Sequence, residues 1–289
     1  MIVPFRFRSP RWGLIGVIEN ALANSRFLSH IRRAFTSRLP FMVLASDVRD
    51  VVYANWVVPV STVKFLVPPG VEIMEKDGNT VLTVLTYKHG HFGPAIAGVF
   101  RRLFPSPLQS NWRLYVRSID GKDTDVPTAL FVANVFNSDL YAVGTRVFSD
   151  VMLSHRAERF EHRQEGCKWS IRIDGKGSAP GLTIKATASY AADFPAAFGS
   201  FFNHYDDAIE MLCLQDAAIA PVIGTGAIAK ADIALPIDTQ TVMSLEVVAY
   251  LPGNFLEKLG AVSSPFCFRV PAVKFEALSE QIISLWDEK

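Results

Sequence analysis

The densest group of chemically capable side chains in this sequence is Tyr-Lys-His-Gly-His at residues 87–91. The segment follows an apolar and β-branched run over residues 80–87, so it is predicted to lie at the end of a strand, where loops often carry function. In a desolvated pocket, Lys88 would be able to form an imine with a carbonyl substrate. Because lysines are mostly solvated, an exposed Lys88 at a strand end is the simpler interpretation.

His89 and His91 in the same segment are two residues apart and would share one face of an extended chain. Imidazole is a common metal ligand, but a convincing site needs a third protein ligand. The sequence offers no residue that can be placed there. The two histidines are therefore interpreted as loop residues, and no metal site is predicted.

A second group lies on the strand predicted over residues 112–118, where apolar and polar side chains alternate. Only one face of such a strand can join an apolar core. Arg113 and Arg117 share the other face with Tyr115, and a guanidinium group matches the two oxygens of a carboxylate. These arginines either line a pocket for an acid or lie on a solvated face, and alternation is compatible with both.

Other patterns favour specific chemistry only weakly. Asp150 and His155 would suit an acid/base pair, but their spacing does not establish contact. The glycines at residues 223–229 imitate a dinucleotide fingerprint, yet Pro221 precedes them and a strand-like run follows where a helix is required, so a turn between strands is predicted. The sequence has no P-loop, no G-x-S-x-G elbow and no H-E-x-x-H motif.

Strand signals dominate the elements that must position these residues. Strands are predicted over residues 51–58, 71–74, 80–87, 112–118, 131–135, 151–163, 168–173, 182–190, 228–235, 241–251 and 266–275, and helical segments over 61–66, 138–149, 201–214 and 276–286. Asp77-Gly78 is predicted to join the strands at 71–74 and 80–87 as a hairpin. This order of elements favours a mainly β fold with added helices.

Composition narrows the function classes. The 289 residues are 49% hydrophobic and 20% charged, which is typical of a globular chain with a large core. A formal net charge of +1 provides no global field for nucleic acid. Three widely spaced cysteines, and the lack of any stretch of about 20 apolar residues, favour a cytoplasmic protein without a transmembrane segment.

Residues 1–46 form a basic arm, in which all seven cationic side chains are arginines and the only acid is Glu19. Leu22, Arg26, Ser29 and Arg33 fall at helical spacing and predict an amphipathic helix. Such an arm either packs on the rest of the fold or a partner subunit, or contacts a membrane surface or polyanion.

Three segments resemble one family. Residues 49–59 (Arg-Asp-Val-Val-Tyr-Ala-Asn-Trp-Val-Val-Pro) and 65–72 (Phe-Leu-Val-Pro-Pro-Gly-Val-Glu) resemble the opening of the YqjF-like family of bacterial proteins, domain of unknown function 2071. Residues 111–117 (Asn-Trp-Arg-Leu-Tyr-Val-Arg) resemble its N-x-R-x-Y-V-R strand. That family is similar to acetoacetate decarboxylase, and the match leaves the basic arm outside.

The resemblance implies an α+β, mainly β fold with an antiparallel, barrel-like sheet of acetoacetate decarboxylase type and flanking helices. This domain would span residues 47–289, enclose a small-molecule cavity and form homo-oligomers.

The same resemblance argues against the classical reaction. Acetoacetate decarboxylases use an imine-forming lysine from a Lys-Lys pair just after a helix that matches residues 138–149. Here the matching residues 148–152 are Phe-Ser-Asp-Val-Met, and no lysine lies between Lys122 and Lys168. Asp150 cannot form an imine, so classical decarboxylation is rejected.

The resemblance also suggests pocket residues. Arg49 matches an arginine that lines the decarboxylase pocket, whereas Thr83 stands where those enzymes have an acid. The predicted substrate-binding residues are Arg49, Tyr87, Lys88, Arg113, Arg117 and Asp150, and no catalytic residue, metal or cofactor is assigned.

The leading hypothesis is therefore a protein that binds a small organic acid or carbonyl compound without lysine chemistry. The alternative is a lyase or related enzyme that uses a relocated lysine such as Lys88.

Overall fold

A computed structural model describes residues 5–36, 38–189 and 194–284. Its strands are β1 (Leu44–Pro59), β2 (Val71–Ile73), β3 (Asn79–Lys88), β4 (Gly93–Pro94), β5 (Leu108–Ile119), β6 (Lys122–Phe136), β7 (Ser154–Arg156), β8 (Arg159–Glu165), β9 (Lys168–Asp174), β10 (Leu182–Ala188), β11 (Ala217–Pro221), β12 (Ile228–Ala234), β13 (Met243–Pro252), β14 (Phe266–Ala277) and β15 (Gln281–Ile283). Its α-helices are α1 (Gly13–Ala23), α2 (Arg26–Thr36), α3 (Val60–Val63), α4 (Asp139–Phe148), α5 (Tyr205–Cys213) and α6 (Asn254–Lys258).

Seven strands pair in a circuit that returns to its start, and we call them the ring. In order they are β1, β3, β5, β6, β11, β12 and β14, and β14 pairs with both β12 and β1. The pairing of β6 with β11 is parallel, as is that of β6 with β7. The sheet is therefore mixed, where the sequence predicted it antiparallel, because the chain returns to β6 through crossovers that contain α4 and α5 rather than through hairpins.

Four further strands extend the sheet from β14 and fold back over the ring. Their order is β13, β10, β9 and β8, and β8 contacts β3 and β5. The ring face beneath them is the outer face, and its largest core cluster includes Trp56, Trp112, Leu114, Ile171 and Ile184. The opposite face of the ring strands is the inner face.

The inner face has two apolar parts. One contains Tyr53, Leu85 and Phe268 and packs under α5. The other lies on β11 and β12, where the inward side chains are the alanines 218, 220, 229 and 231, packed with Val151 and Leu153.

Strand β5 corrects one sequence expectation, because both of its faces are buried. Trp112 on the outer face is 0% exposed, while Arg113 and Tyr115 on the inner face are 2% and 1% exposed. Only Arg117, near the end of the strand, is exposed. A strand covered on both sides still alternates when the inner side is partly polar.

Most predicted elements are present, with three corrections. The turn at Asp77 and Gly78 is present, with φ of 51° and 75°, but β2 pairs with β5 and not with β3. The strand predicted over 151–163 is broken into β7 and β8. The closing helix predicted over 276–286 is instead the end of β14 followed by β15, and residues 285 and 286 lie outside the described residues, as does residue 190 of another predicted strand.

The arm packs on the rest of the fold through α4. Both α1 and α2 contact α4. Arg32 and Arg33 of α2 form ion pairs with Asp150 at 2.5 and 2.6 Å, and Arg32 also reaches Glu280 at 3.2 Å. Within the described residues, no helix is long and apolar enough to cross a membrane.

Candidate functional site

A line of polar side chains crosses the inner face, and we call it the inner polar row. It contains Tyr87 of β3, His89 just after it, Gln109, Asn111 and Arg113 of β5, and Asn134 of β6. The register explains their proximity, because Tyr87 lies opposite Gln109, and Asn111 opposite Asn134. Alternate residues of a strand point to one face, so β5 delivers three of them together.

Hydrogen bonds connect most of the row. The ring of His89 joins Ser46 Oγ and Gln109 Oε1, each at 2.7 Å. Gln109 and Asn111 both donate to Asn134 Oδ1, at 3.1 and 2.8 Å. The side-chain nitrogen of Asn134 is buried and has no protein partner. A buried donor of this kind favours a bound acceptor.

His89 is held neutral in this network. Burial lowers its pKa to about 4, although the hydrogen bond with Gln109 opposes the shift. Because Gln109 Oε1 can only accept, Nε2 of His89 carries the proton, and Nδ1 accepts from the hydroxyl of Ser46. His89 therefore orients the amide of Gln109 and adds no charge.

Arg113 supplies the charge of the row. Its guanidinium donates to the main-chain oxygen of Leu212 at the end of α5 and lies 5.5 Å from the ring centres of Tyr53 and Tyr115. Its Nε has no partner, and no carboxylate in the described chain forms an ion pair with it. Arginine stays protonated in proteins, so the row carries an uncompensated positive charge.

Neutral hydroxyl groups surround Arg113. Burial raises the pKa of Tyr53, of Tyr87 and of Tyr115, so the three phenols keep their protons at neutral pH. Thr83 occupies the position where the resemblance expects an acid, and its hydroxyl lies 2.7 Å from Asn55 Oδ1 and 2.8 Å from the Tyr115 hydroxyl. These polar atoms offer hydrogen bonds and no negative charge.

A second polar group, the outer cluster, lies on the outer face around Asp50. The carboxylate of Asp50 accepts from Arg269 at 2.7 Å and from Lys88 at 3.3 Å. Burial would raise the pKa of Asp50, but these two hydrogen bonds outweigh it and lower the pKa. Asp50 has φ of 52° and sits at a bulge in β1, which turns its side chain toward the two cations.

His162 and Trp169 complete the outer cluster. Arg269 lies 5.3 Å from the ring centre of Trp169. Burial lowers the pKa of His162 to about 4, with a further lowering from Lys88, and neither ring nitrogen has a protein partner.

A cleft of about 670 Å³ opens at another place on the outer face, between β6, the β9–β10 hairpin and the arm. Its rim includes Arg6 and Arg8, and its floor includes Val132 and His155. Burial and the charge of Arg146 lower the pKa of His155 to about 3, so this histidine is neutral. Its Nδ1 lies 2.7 Å from Ser178 Oγ.

The structure separates the residues that the sequence grouped. Tyr87 and Arg113 belong to the inner polar row, whereas Lys88 belongs to the outer cluster. Adjacent residues of a strand point to opposite faces, so Tyr87 and Lys88 do not line one pocket. Arg49 and Arg117 are exposed, and Asp150 pairs with the arm.

Sequence reasoning missed Gln109, Asn111 and Asn134. The available signal was the polar run at residues 109–111 (Gln-Ser-Asn), directly before the strand predicted over residues 112–118. The structure brings no three metal-ligating side chains together in the described ranges.

Comparison with known proteins shows the fold. Neither a family model nor a curated protein matches the chain, so membership of the YqjF-like family stays a prediction. The solved structure of the enduracididine biosynthesis enzyme MppR, complexed with the condensation product of pyruvate and imidazole 4-carboxaldehyde, is similar with a TM-score of 0.57 at 10% identity, covering 86% of this chain and 91% of that one.

Two further solved structures, an acetoacetate decarboxylase-like enzyme and an acetoacetate decarboxylase, are similar to the chain over most of its length. An acetoacetate decarboxylase-like enzyme from Sphingomonas wittichii RW1 has a TM-score of 0.54 at 8% identity, covering 84% of this chain and 94% of that one. Acetoacetate decarboxylase from Legionella pneumophila has a TM-score of 0.54 at 11% identity, covering 90% and 97%. The chain thus has the mainly β fold of acetoacetate decarboxylase-like enzymes.

Proposed function

We propose that this protein binds a small organic acid, such as a keto acid, on the inner polar row. The observation that carries the proposal is Arg113, a fully buried cation without a carboxylate partner in the described chain. A buried charge is costly unless it is paired, and a ligand carboxylate would pair it.

The rest of the inner face suits such a ligand. The unpartnered nitrogen of Asn134 and the hydroxyl of Tyr87 add donors for oxygen atoms. The part of the inner face on β11 and β12 is apolar, with four buried alanines that pack with Val151 and Leu153. Small ligands are commonly held by an apolar wall and a few placed polar groups.

The similar structures support this class of ligand. MppR, which shares the fold, has been solved in complex with pyruvate. The inner polar row contains no lysine, and no lysine is among the buried residues of the described chain. Any reaction on the row would therefore proceed without an imine. We therefore propose recognition by charge and hydrogen bonds, in an oligomeric cytoplasmic protein.

Calorimetric titration with pyruvate and with its neutral amide tests this function. Wild-type protein is expected to bind the acid more tightly than the amide. Arg113→Met should abolish the preference, because it removes the charge and keeps an unbranched side chain. Arg117→Met is the matched control on the same strand, since Arg117 is exposed.

Equal binding of acid and amide by wild-type protein would contradict the charge argument. Unchanged binding by Arg113→Met would place the ligand elsewhere. The cleft is then examined with Arg8→Gln, because Arg8 lies at its rim.

A second candidate is imine chemistry at Lys88, which the outer cluster favours. The amine lies beside Asp50, which would accept a proton, and Arg269, which would hold a substrate carboxylate. Borohydride trapping with pyruvate and mass spectrometry should then give an adduct on wild-type protein and on Lys185→Arg, but not on Lys88→Arg. No adduct on wild-type protein contradicts this candidate.

A further inference from the structure

The large exposed apolar side chains gather on the arm and on its neighbours. In the described chain they include Trp12, Leu14, Ile15, Val17, Ile18, Leu22, Phe27, Phe35, Leu39, Phe41 and Met42 of the arm, Ile96, Val99, Phe100 and Leu103 of the 3-10 segment Ala95–Leu103, and Leu140 and Phe148 of α4. We call this set the arm surface. Trp12 is 85% exposed and Ile96 is 92% exposed. Apolar surface on this scale marks an interaction site.

Helix α1 shows the feature most clearly. It buries only Gly16, Glu19 and Ala23, which face the rest of the fold. Leu14, Ile18 and Leu22 recur every four residues on the exposed side, so an apolar stripe runs along the outside of the helix.

The parts of the arm surface are neighbours around α4. Helices α1 and α2 both contact α4. Tyr141 of α4 donates to the main-chain oxygens of Phe92 and Pro105 at 2.7 and 3.3 Å, and these residues flank the segment Ala95–Leu103. The exposed apolar side chains of the arm, of α4 and of this segment therefore belong to one region of the molecule.

The charge of this region is positive. The arm has seven arginines and one acid, Glu19, which is 8% exposed and accepts a hydrogen bond from Ser9 at 2.5 Å. The acids next to the arm, Asp139 and Asp150, are paired with arginines. Exposed arginines remain, among them Arg38 and Arg102.

We propose that the arm surface binds an anionic lipid membrane from one side. Its apolar stripe would enter the boundary between headgroups and acyl chains, and its arginines would meet lipid phosphates and carboxylates. A second copy of the chain would bring the same excess of exposed arginines to the interface. Charge complementarity thus favours the lipid over a second copy of the chain.

Co-sedimentation with vesicles tests this surface. The full-length protein should bind vesicles of phosphatidylcholine with phosphatidylserine, and bind phosphatidylcholine alone more weakly. Added salt should weaken binding, because the arginines are exposed. Arg38→Gln and Arg102→Gln should each weaken it about fivefold, which corresponds to about 1 kcal/mol for a charge at the surface.

Leu14→Ser combined with Ile18→Ser should remove binding, because it interrupts the stripe on α1. These positions are exposed, so the thermal unfolding midpoint should stay close to that of wild-type protein. Val248→Ser combined with Leu251→Ser is the matched control, since both residues are exposed on β13 in the extension of the sheet. This control should bind vesicles like wild-type protein.

Two outcomes would overturn the proposal. One is equal or absent binding to the two vesicle types. The other is a dimer in sedimentation velocity that dissociates on Leu14→Ser with Ile18→Ser, in a protein that does not bind vesicles. The second result would assign the arm surface to another copy of the chain.

Discussion

Two arginines on opposite faces of the ring are held in different ways. Arg269 of the outer cluster donates to Asp50, which Lys88 also reaches, so two cations share one carboxylate. Arg113 of the inner polar row is more deeply buried and has no carboxylate partner in the described residues. The outer cluster contains its own anion, and the inner row lacks one. This difference is the basis for the proposal that a ligand binds on the inner face.

A third buried arginine, Arg146, shows that the lack of an acidic partner does not by itself indicate a ligand site. Arg146 of α4 donates to the main-chain oxygens of Ala23, Phe5 and Ser154. Burial lowers its pKa to about 10, so it remains charged at neutral pH. Its hydrogen bonds are largely used within the protein, whereas Arg113 keeps a free Nε. Arg146 is therefore structural, whereas Arg113 keeps one donor that no protein atom uses.

The largest expected effect is the response of stability to acid. Burial lowers the pKa of His89 and of His162 to about 4 in the fold, against an ordinary value of 6.5. Between these values the unfolded chain binds more protons, so stability is full above pH 6.5 and falls as the pH is lowered toward 4. Each histidine contributes up to about 1.4 kcal/mol per pH unit.

Urea unfolding between pH 8 and pH 4.5 measures this slope. His89→Gln and His162→Gln should each make it shallower. At pH 8 the two sites should differ, because His89 bonds Ser46 and Gln109 while His162 has no partner. His89→Leu should therefore lower the free energy of unfolding by about 2 kcal/mol more than His162→Leu does. Equal costs would contradict the contrast between the two groups.

The next effect concerns the carboxylate of the outer cluster. Asp50→Asn leaves Lys88 and Arg269 without an anion, which we expect to lower the free energy of unfolding by about 2 kcal/mol, since Lys88 is partly exposed. Asparagine tolerates the positive φ of 52°, so backbone strain does not enter. Chemical denaturation measures the change.

Asp77→Asn is the matched control for this substitution. Asp77 has φ of 51° in an exposed turn and forms no ion pair in the described chain. Asp77→Asn should change the free energy of unfolding by no more than about 0.5 kcal/mol. A similar loss at both sites would assign the effect to the backbone and not to the cluster.

Strand geometry explains how much of the site the sequence could predict. The alternation in 112–118 correctly placed Arg113 and Tyr115 on one face, but it does not reveal whether that face meets water or a second layer. That depends on α5, which comes about 90 residues later in the chain. Long-range packing of this kind is not encoded in a local pattern.

The polar row was harder to predict than its arginine. Gln109, Asn111 and Asn134 are uncharged, and amides are common on ordinary surfaces. Their significance arises only when β5 and β6 pair in the observed register. The mainly β fold, by contrast, could be predicted, because runs such as 51–58 and 112–118 carry strand signals by themselves.

A smaller effect is expected for Arg113 in the absence of ligand. Arg113→Met leaves no carboxylate unpaired, so the free energy of unfolding should change by about 1 kcal/mol or less, with either sign. The same protein should lose its preference for pyruvate over the amide. A loss as large as that of Asp50→Asn would show that Arg113 is structural, like Arg146.

The smallest effect is expected at Arg49, which is exposed and lies opposite Lys88 in the register of β1 and β3. Arg49→Ala should change the free energy of unfolding by no more than about 0.5 kcal/mol. Its affinity for pyruvate should stay within about twofold of wild-type protein, because a solvated guanidinium contributes little to binding. Calorimetric titration of Arg49→Ala and of Arg113→Met with pyruvate, in one series, measures the two affinities. If Arg49→Ala loses as much affinity for pyruvate as Arg113→Met, the binding site would extend across the bulge at Asp50. It would then join the inner polar row to the outer cluster, which the structure holds apart.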